Sequence, residues 1–315
     1  MRPWLRPLGS TGLTISAVTA GAAPLGGMPE AFGYDVSEAA AVDLVGAILG
    51  SPIRAIDTSN GYSEGRSEQR IGLGIARAGG LPSDFLVTTK VDPQRDDYSG
   101  ERVRESVRES KKRLGLDTLP LVYLHDPEFH SFSTLTSPGG AVDTLVELSR
   151  EGEIGHLGVA GGDVTELRRY LDLGIFEVLL THNRWSLVDH SAGELIDSAR
   201  ESGVAVVNAA IYGGGILANP HGGVTRYGYR PVRDATRTAI RSMAQLAESF
   251  GTDLATVALQ ASLRDPKIDS TVIGFSKRPR IDGIVSAAAA PLPEELWHQL
   301  DVLVPSRDDW IDFAT

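Results

Sequence analysis

Short runs of apolar, often β-branched residues alternate with longer amphipathic stretches from about residue 16 to the end of the chain. Because these runs are apolar at most positions, they are typical of parallel strands that are buried on both faces. The pattern predicts eight strands: Ala17–Gly21, Ile53–Thr58, Phe85–Val91, Leu121–Asp126, His156–Gly161, Val178–His182, Ala205–Ala210 and Ser270–Phe275.

The amphipathic stretches between these runs have the end signals of helices. Ser37 and Asp163 each stand just before a helical run, where a side-chain oxygen can accept the first free backbone N–H groups. Glu166 follows Asp163 by three residues, as in a capping box. Helices are predicted to stop at four glycines: Gly115, Gly152, Gly174 and Gly203.

Eight β/α units without a composition break predict an α/β fold, a closed (β/α)₈ barrel that spans residues 1–315 as a single domain. A doubly wound sheet is the alternative, but no G-x-G-x-x-G follows any predicted strand. Leu8–Ser16 is predicted to form a hairpin that caps one end of the barrel. Tyr212–Thr236 is glycine-rich and not helical in pattern, and so long a loop in a compact domain is usually functional.

Composition narrows the class of protein. Hydrophobic residues make up 42% of the chain, yet no apolar run approaches the length of a membrane span, and Met1–Leu13 does not resemble a secretory signal. The absence of cysteine excludes disulfides, thiolate metal sites and a cysteine nucleophile. A net charge of −11 argues against nucleic-acid binding. We therefore expect a cytoplasmic protein whose partner is a small molecule, with no membrane or nucleic-acid partner.

Four ionisable residues fall at the ends of adjacent predicted strands: Asp57 and Tyr62 after the second, Lys90 in the third and His125 in the fourth. Reacting groups of such barrels collect at the carboxyl ends of the strands. A nearby ammonium lowers the pKa of a phenol, and a carboxylate keeps the lysine charged. Taken singly, the Asp is more often a helix cap, the Lys a surface residue and the Tyr part of a turn. Together they predict a site in which Tyr62 exchanges a proton with a substrate oxygen, while His125 orients that oxygen or shuttles its proton.

These residues also resemble a known family. Ala55–Glu68, which reads AIDTSNGYSEGRSE, is similar to the signature of the aldo-keto reductases. Val87–Lys90, Leu121–Pro127 and Arg6–Leu13 are similar to the lysine strand, the histidine strand and the N-terminal hairpin of that family, in the same order over nearly the whole chain. The resemblance implies that the four residues above form a catalytic tetrad. It further implies NAD or NADP bound across the barrel mouth, without metal or flavin.

The resemblance also implies the cofactor contacts. Tyr212–Leu217 matches the loop that folds over the pyrophosphate, although a flexible loop is the alternative. Ile273–Ile281 matches the segment that holds the adenosine phosphate, with Ser276 at a helix start; the alternative is a solvated basic helix start. Arg278 adds charge that would favour a 2′-phosphate. The predicted cofactor-binding residues are Gly21, Asp57, His182, Asn183, Tyr212, Gly213, Gly215, Leu217, Gly274, Ser276, Lys277 and Arg280.

Two positions depart from the family pattern. Gly158–Asp163 stands where most members have Ser-Asn to hold the nicotinamide carboxamide, and His182 with Asn183 stands at the usual glutamine. One of these two residues is predicted to take over the amide contact. Ala209 replaces the aromatic residue that stacks on the nicotinamide in many members, so Tyr212 is predicted to stack instead.

Within the family, the chain is most similar to bacterial dehydrogenases that oxidise L-fucose, D-threo-aldoses or galactose at C1, as judged by Val122–Glu128, Thr181–Asp189 and Tyr227–Pro231. This predicts an NAD(P)-dependent oxidoreductase of sugar C1 hydroxyls, a monomer or small homo-oligomer. The alternatives are an NADPH-dependent aldehyde or ketone reductase and a non-catalytic, cofactor-binding regulatory subunit. His130 and His190 are predicted to be surface residues rather than metal ligands.

Overall fold

The computed structural model describes residues 2–29 and 33–313. The strands are β1 Leu5–Pro7, β2 Thr14–Ser16, β3 Val18–Gly21, β4 Ala55–Asp57, β5 Leu86–Val91, β6 Leu119–His125, β7 Ile154–Gly161, β8 Val178–His182, β9 Ala205–Ala209, β10 Arg226–Tyr227, β11 Arg230–Pro231 and β12 Ser270–Gly274. The α-helices are α1 Glu38–Leu49, α2 Arg66–Arg77, α3 Gly100–Leu114, α4 Phe132–Leu135, α5 Ala141–Arg150, α6 Val164–Leu171, α7 Gly193–Glu201, α8 Asp234–Ser249, α9 Leu254–Arg264, α10 Pro279–Ala289 and α11 Glu294–Asp301.

Eight parallel strands close into a barrel in the order β12-β3-β4-β5-β6-β7-β8-β9. All eight predicted strands are confirmed, with bounds that differ by no more than two residues. The (β/α)₈ prediction is therefore confirmed and the doubly wound alternative is wrong. Strands β3, β4 and β5 are buried at every position, as expected for a sheet covered by helices on one face and by barrel side chains on the other.

The N-terminal hairpin closes one end of the barrel. Strands β1 and β2 pair antiparallel, and Leu8 and Ile15 from this region are almost fully buried among the barrel's interior side chains. Gly9 lies against Ala205, the first residue of β9; a Cβ at Gly9 would come within 2.9 Å of the Ala205 Cβ. The hairpin thus plugs the amino ends of the strands. The hairpin does not cover the carboxyl ends of the strands, where the candidate active site lies.

The predicted helix ends are also found. The Ser37 side chain accepts a hydrogen bond from Ala40 N, and the Asp163 side chain accepts two, from Thr165 N and Glu166 N. The four predicted stop glycines all have φ between 68° and 78°, the left-handed region that favours glycine: Gly115, Gly152, Gly174 and Gly203.

The long loop after β9 is more structured than its composition predicted. It contains a 3₁₀ turn at Gly213–Gly215 and the small β10–β11 hairpin, and α8 already begins at Asp234. The prediction of a non-helical stretch up to Thr236 is therefore wrong for its last three residues. Side chains from this region pack in a separate apolar cluster with α8, α9 and α11, which fixes the loop beside the barrel mouth.

Within residues 2–29 and 33–313, none of the helices combines the length and apolar character needed to cross a bilayer. That residues 1–315 form a single domain stays a prediction.

Candidate active site

Asp57 and Tyr62 reach the barrel mouth from the carboxyl end of β4. Asp57 is the last residue of that strand, and its Oδ1 accepts a hydrogen bond from the Thr88 hydroxyl at 2.9 Å. The following segment turns tightly, since Ser63, Glu64 and Gly65 have φ of 53°, 57° and 86°. This turn returns the chain to α2 and leaves the Tyr62 ring in the cleft at the mouth.

A network of charged side chains from α2 and α3 holds the turn that carries Tyr62. The Asn60 amide donates to Glu109 Oε2 at 3.0 Å, and its carbonyl group accepts from Arg102 Nη2 at 3.1 Å. Arg113 donates to the backbone oxygen of Asn60 and to Glu68 Oε2, both at 3.2 Å. Because α2 and α3 supply these charges, the turn that carries Tyr62 is held on two helices.

Lys90 connects the acid and the phenol. Its side chain is only 2% exposed, and Nζ lies 2.7 Å from Asp57 Oδ2, 2.7 Å from Thr58 O and 3.2 Å from Tyr62 OH. The ammonium therefore uses its three protons on three oxygens. A buried ammonium requires such compensation, because loss of hydration costs several kcal/mol.

The pKa of Tyr62 differs from the prediction. Burial raises the pKa of Tyr62 to about 12, and the Lys90 ammonium lowers it by less than burial adds. The predicted effect of the lysine is present, but the predicted net lowering is wrong. Burial alone would lower the pKa of Lys90, yet Asp57 and Tyr62 outweigh it and raise that pKa. At neutral pH, this corner therefore holds a protonated phenol beside a charged lysine.

His125 is paired with an acid that the sequence analysis missed. Its Nδ1 lies 2.6 Å from Asp92 Oδ1, and Asp92 Oδ2 accepts hydrogen bonds from the Ser59 hydroxyl and, at 2.7 Å, from Gly61 N. Burial opposes protonation of the ring, but the Asp92 carboxylate outweighs it and raises the pKa of His125. Asp92 follows Lys90 by two residues, directly after the last residue of the same strand, and that position was the available signal.

The tetrad residues line one cleft of about 230 Å³ at the carboxyl ends of the strands. The rings of Tyr62 and His125 meet edge to face, with centroids 5.7 Å apart. The structure thus brings together all four predicted catalytic residues on a single wall of the mouth.

A second polar group lines the same cleft beside His125. Asp126 has a left-handed backbone with φ of 43°, and its carboxylate lies between two imidazoles: Oδ2 is 3.7 Å from His125 Nε2, and Oδ1 is 3.7 Å from His182 Nε2. Although burial opposes ionisation, His182 and His125 lower the pKa of Asp126 to about 2. Tyr229, from the β10–β11 turn, packs edge to face on His182. At the level of sequence, Asp126 is only the last residue of the fourth predicted strand, and Tyr229 has no individual role.

The predicted cofactor residues divide into two groups. Five of them line the cleft: Gly21, Asp57, His182, Tyr212 and Gly274. The remaining seven lie outside it: Asn183, Gly213, Gly215, Leu217, Ser276, Lys277 and Arg280.

Several of the outer residues differ from expectation. The Leu217 side chain is fully buried in the apolar cluster beside the barrel, so only its backbone remains available to a ligand. Ser276 is not at a helix start, because α10 begins at Pro279 with Arg278 as its N-cap. Lys277 and Arg280 are exposed, and Arg280 Nε donates to Gly274 O at 2.9 Å.

His130 and His190 are partly buried rather than exposed, which corrects the prediction of surface residues. The His130 ring packs on Tyr98, and the His190 ring lies between Trp185 and Trp310. The one group of possible metal ligands among the described residues contains neither; it consists of Asp126, Glu128 and His182.

Several known proteins are similar to this chain in sequence or in fold. The L-galactose dehydrogenase of Arabidopsis thaliana is 31% identical over 90% of this chain and 87% of its own. Pyridoxal 4-dehydrogenase of Microbacterium luteolum is 29% identical over 94% and 96%, and D-threo-aldose 1-dehydrogenase of Pseudomonas sp. is 27% identical over 92% and 94%. The holo form of the aldo-keto reductase AKR11C1 from Bacillus halodurans has the same fold, with a TM-score of 0.77 and 20% identity over the full length of both chains.

The family description "Aldo/keto reductase family" matches residues 18–305, which include all eight barrel strands and the four strand-end residues. Members of this family are oxidoreductases that use NAD(P)H and act on small carbonyl or sugar substrates. The chain therefore belongs to the aldo/keto reductase family and is an oxidoreductase.

Proposed function

We propose that this oxidoreductase transfers hydride between NAD or NADP and C1 of a sugar hemiacetal, with Tyr62 as general acid or base. One observation carries the proposal: Lys90 Nζ contacts both Asp57 Oδ2 and Tyr62 OH in the cleft that also holds His125. A subunit that only binds the cofactor does not require a buried lysine ammonium in contact with a tyrosine hydroxyl. The contact between Lys90 and Tyr62 therefore argues for a catalyst and against the regulatory alternative.

The mouth has the features that a nicotinamide dinucleotide needs. Ala160, Leu180 and Val272 form an apolar floor beside the tetrad, suited to a flat ring. Gly213–Gly215 all have positive φ, and a Cβ on Gly214 or Gly215 would meet no atom within 4 Å, so their backbone is open to phosphate oxygens. We propose that Tyr212, at the edge of the cleft, stacks on the ring in place of the missing aromatic residue.

When bound, the nicotinamide ring supplies or accepts the hydride. In the oxidative direction, the Tyr62 phenolate takes the proton of the C1 hydroxyl, and Lys90 stabilises that phenolate. In the reductive direction, the Tyr62 hydroxyl returns the proton to the carbonyl oxygen. His125, held by Asp92 at Nδ1, presents Nε2 to the same oxygen and orients it.

The preference for a sugar is supported by polar atoms that line the cleft beside the tetrad. Asp126 Oδ2 and the Tyr229 hydroxyl can exchange hydrogen bonds with sugar hydroxyl groups, which a simple aldehyde lacks. Two of the similar proteins are named for L-galactose and for D-threo-aldoses.

The test is absorbance at the reduced-nicotinamide band, with NAD or NADP and a panel of aldoses that includes L-fucose, L-galactose and D-galactose. We expect signal growth with at least one sugar. Because Tyr62 has a raised pKa and must lose its proton for oxidation, the oxidation rate should increase with pH between 7 and 10. A silent panel, with NADPH consumed on simple aldehydes, would favour the general reductase instead.

A further inference from the structure

The chain lacks the Ser-Asn pair that its family resemblance assigns to the nicotinamide carboxamide, and the structure shows what stands there instead. At the carboxyl end of β7 lie Ala160 and Gly161, which carry no polar side-chain atom. A Cβ on Gly161 would come within 2.4 Å of Glu128 Oε2, so Glu128 occupies the space of a larger side chain. Glu128 Oε1 accepts a hydrogen bond from Gly162 N at 2.6 Å, whereas Oε2 is buried without a partner. Glu128 does not line the cleft that holds Tyr62, so the amide must find its partners elsewhere on the mouth.

Chemistry restricts where those partners lie. The carboxamide is attached to the ring carbon next to the one that exchanges hydride, so it must lie in the same cleft as Tyr62. Besides the tetrad, the polar side chains that line this cleft are Asp126, His182, Tyr212 and Tyr229. Tyr212 lies toward Arg280, 5.8 Å from its guanidinium, and Tyr229 is 71% exposed. Asp126 and His182 remain.

These two side chains form an acceptor and a donor side by side. Asp126 Oδ1 is buried and has no hydrogen-bond partner, which is unusual for a carboxylate oxygen and indicates a missing donor. It lies 3.7 Å from His182 Nε2, too far for a hydrogen bond between them. A primary amide carries its N–H₂ and C=O on one carbon, roughly 2.2 Å apart, and needs such a neighbouring acceptor and donor.

Asn183 completes the arrangement without touching the ligand. Its amide nitrogen lies 3.1 Å from His182 Nδ1, and the residue is only 2% exposed. With that nitrogen as donor, a neutral His182 ring carries its proton on Nε2, on the side of Asp126. The sequence predicts that one of His182 and Asn183 holds the amide; the geometry favours His182 for the contact and Asn183 for orienting the His182 ring.

We propose that Asp126 accepts a hydrogen bond from the carboxamide N–H₂ of the nicotinamide while His182 Nε2 donates to its carbonyl oxygen. The inference rests on the proposed function, because it requires a nicotinamide in this cleft. Asn183 acts as a positioning residue for His182.

The test compares binding of NAD or NADP with binding of its 3-acetylpyridine analogue, which keeps the carbonyl oxygen but lacks the N–H₂. Isothermal titration calorimetry measures both without substrate. The wild type should bind the natural cofactor about 10- to 100-fold more tightly, as expected for a hydrogen bond to a charged group. Asp126→Gly, which tolerates the left-handed backbone, should reduce this ratio to about one. The charge of Asp126 acts on both cofactors alike, so the ratio isolates the amide N–H.

His182→Ala should weaken binding of both cofactors equally, since both retain the carbonyl oxygen. The exposed Asp96→Asn is the matched control and should keep the wild-type ratio.

A ratio that survives in Asp126→Gly would overturn the inference and leave the proposed function intact. Tight Mn²⁺ or Zn²⁺ binding by the wild type that is lost in Asp126→Gly would also overturn it, in favour of a metal at Asp126, Glu128 and His182. A wild type that binds neither dinucleotide would overturn both proposals.

Discussion

The wall that carries Asp57, Tyr62, Lys90 and His125 and the loops proposed to bind the cofactor lie at the same end of the barrel but are built differently. On the wall, Asp57, Lys90 and Asp92 come from strand ends or their next residue, and each polar group has a partner within 3.2 Å. On the loop after β12, Lys277 and Arg278 are exposed. A charge that is buried must be compensated inside the protein, whereas a charge that meets a phosphate can stay hydrated until the ligand arrives. Substitutions should therefore act on rate in the first region and on affinity in the second.

The largest effect is expected from Tyr62→Phe. This change removes the exchanged proton but keeps the ring, so kcat should fall by roughly 10²- to 10⁴-fold, the range of general acid–base catalysis. Cofactor affinity, measured by calorimetry, should stay near wild type. Retained turnover would contradict the proposed role of the phenol and favour an acid supplied by His125.

A smaller effect, visible mainly as a pH shift, is expected from Asp92→Asn. Asp92 raises the pKa of His125, so the protonated ring persists to higher pH in the wild type than in the variant. In the direction of carbonyl reduction, the limb of the kcat/KM profile that falls as pH rises through the His125 pKa should therefore move to lower pH in Asp92→Asn. Asp96→Asn, on the exposed part of the same loop, is the control and should leave the profile unchanged. A uniform loss of rate at every pH would indicate a merely structural role.

The smallest effect is expected from Lys277→Ala on the loop after β12, which is proposed to hold the adenosine phosphate. The affinity for the dinucleotide should fall about three- to tenfold at low salt, and the loss should shrink at high salt because exposed charges are screened. The kcat should not change. Arg241→Ala removes an exposed cation from α8 and controls for net charge. An unchanged affinity in Lys277→Ala would contradict a contact between Lys277 and the phosphate.

The strands, the helix caps and the strand-end residues of this protein could be predicted from the local pattern of apolar and polar residues. The eight strands could be predicted because a parallel strand buried on both faces must be apolar along its length, and the cap residues because an unpaired helix end needs an oxygen nearby. The four strand-end residues could be named because parallel strands place their carboxyl ends on one rim.

Only the tertiary structure determined which side chains pair and how their pKa values shift, because both depend on distances between residues that are far apart in sequence. Only the folded chain brings Asp92 within 2.6 Å of His125, and only burial at the mouth raises the pKa of Tyr62 to about 12 against the attraction of Lys90. The same holds for Asp126 and His182, which are 56 positions apart in sequence and 3.7 Å apart in space. The sequence determined which ionisable groups are present and on which strand each lies, because both follow from the order of residues along the chain. The pKa of a buried group depends on how far its neighbours exclude water and on which charges lie close to it. Those neighbours come from several strands, and only the closed barrel brings them together.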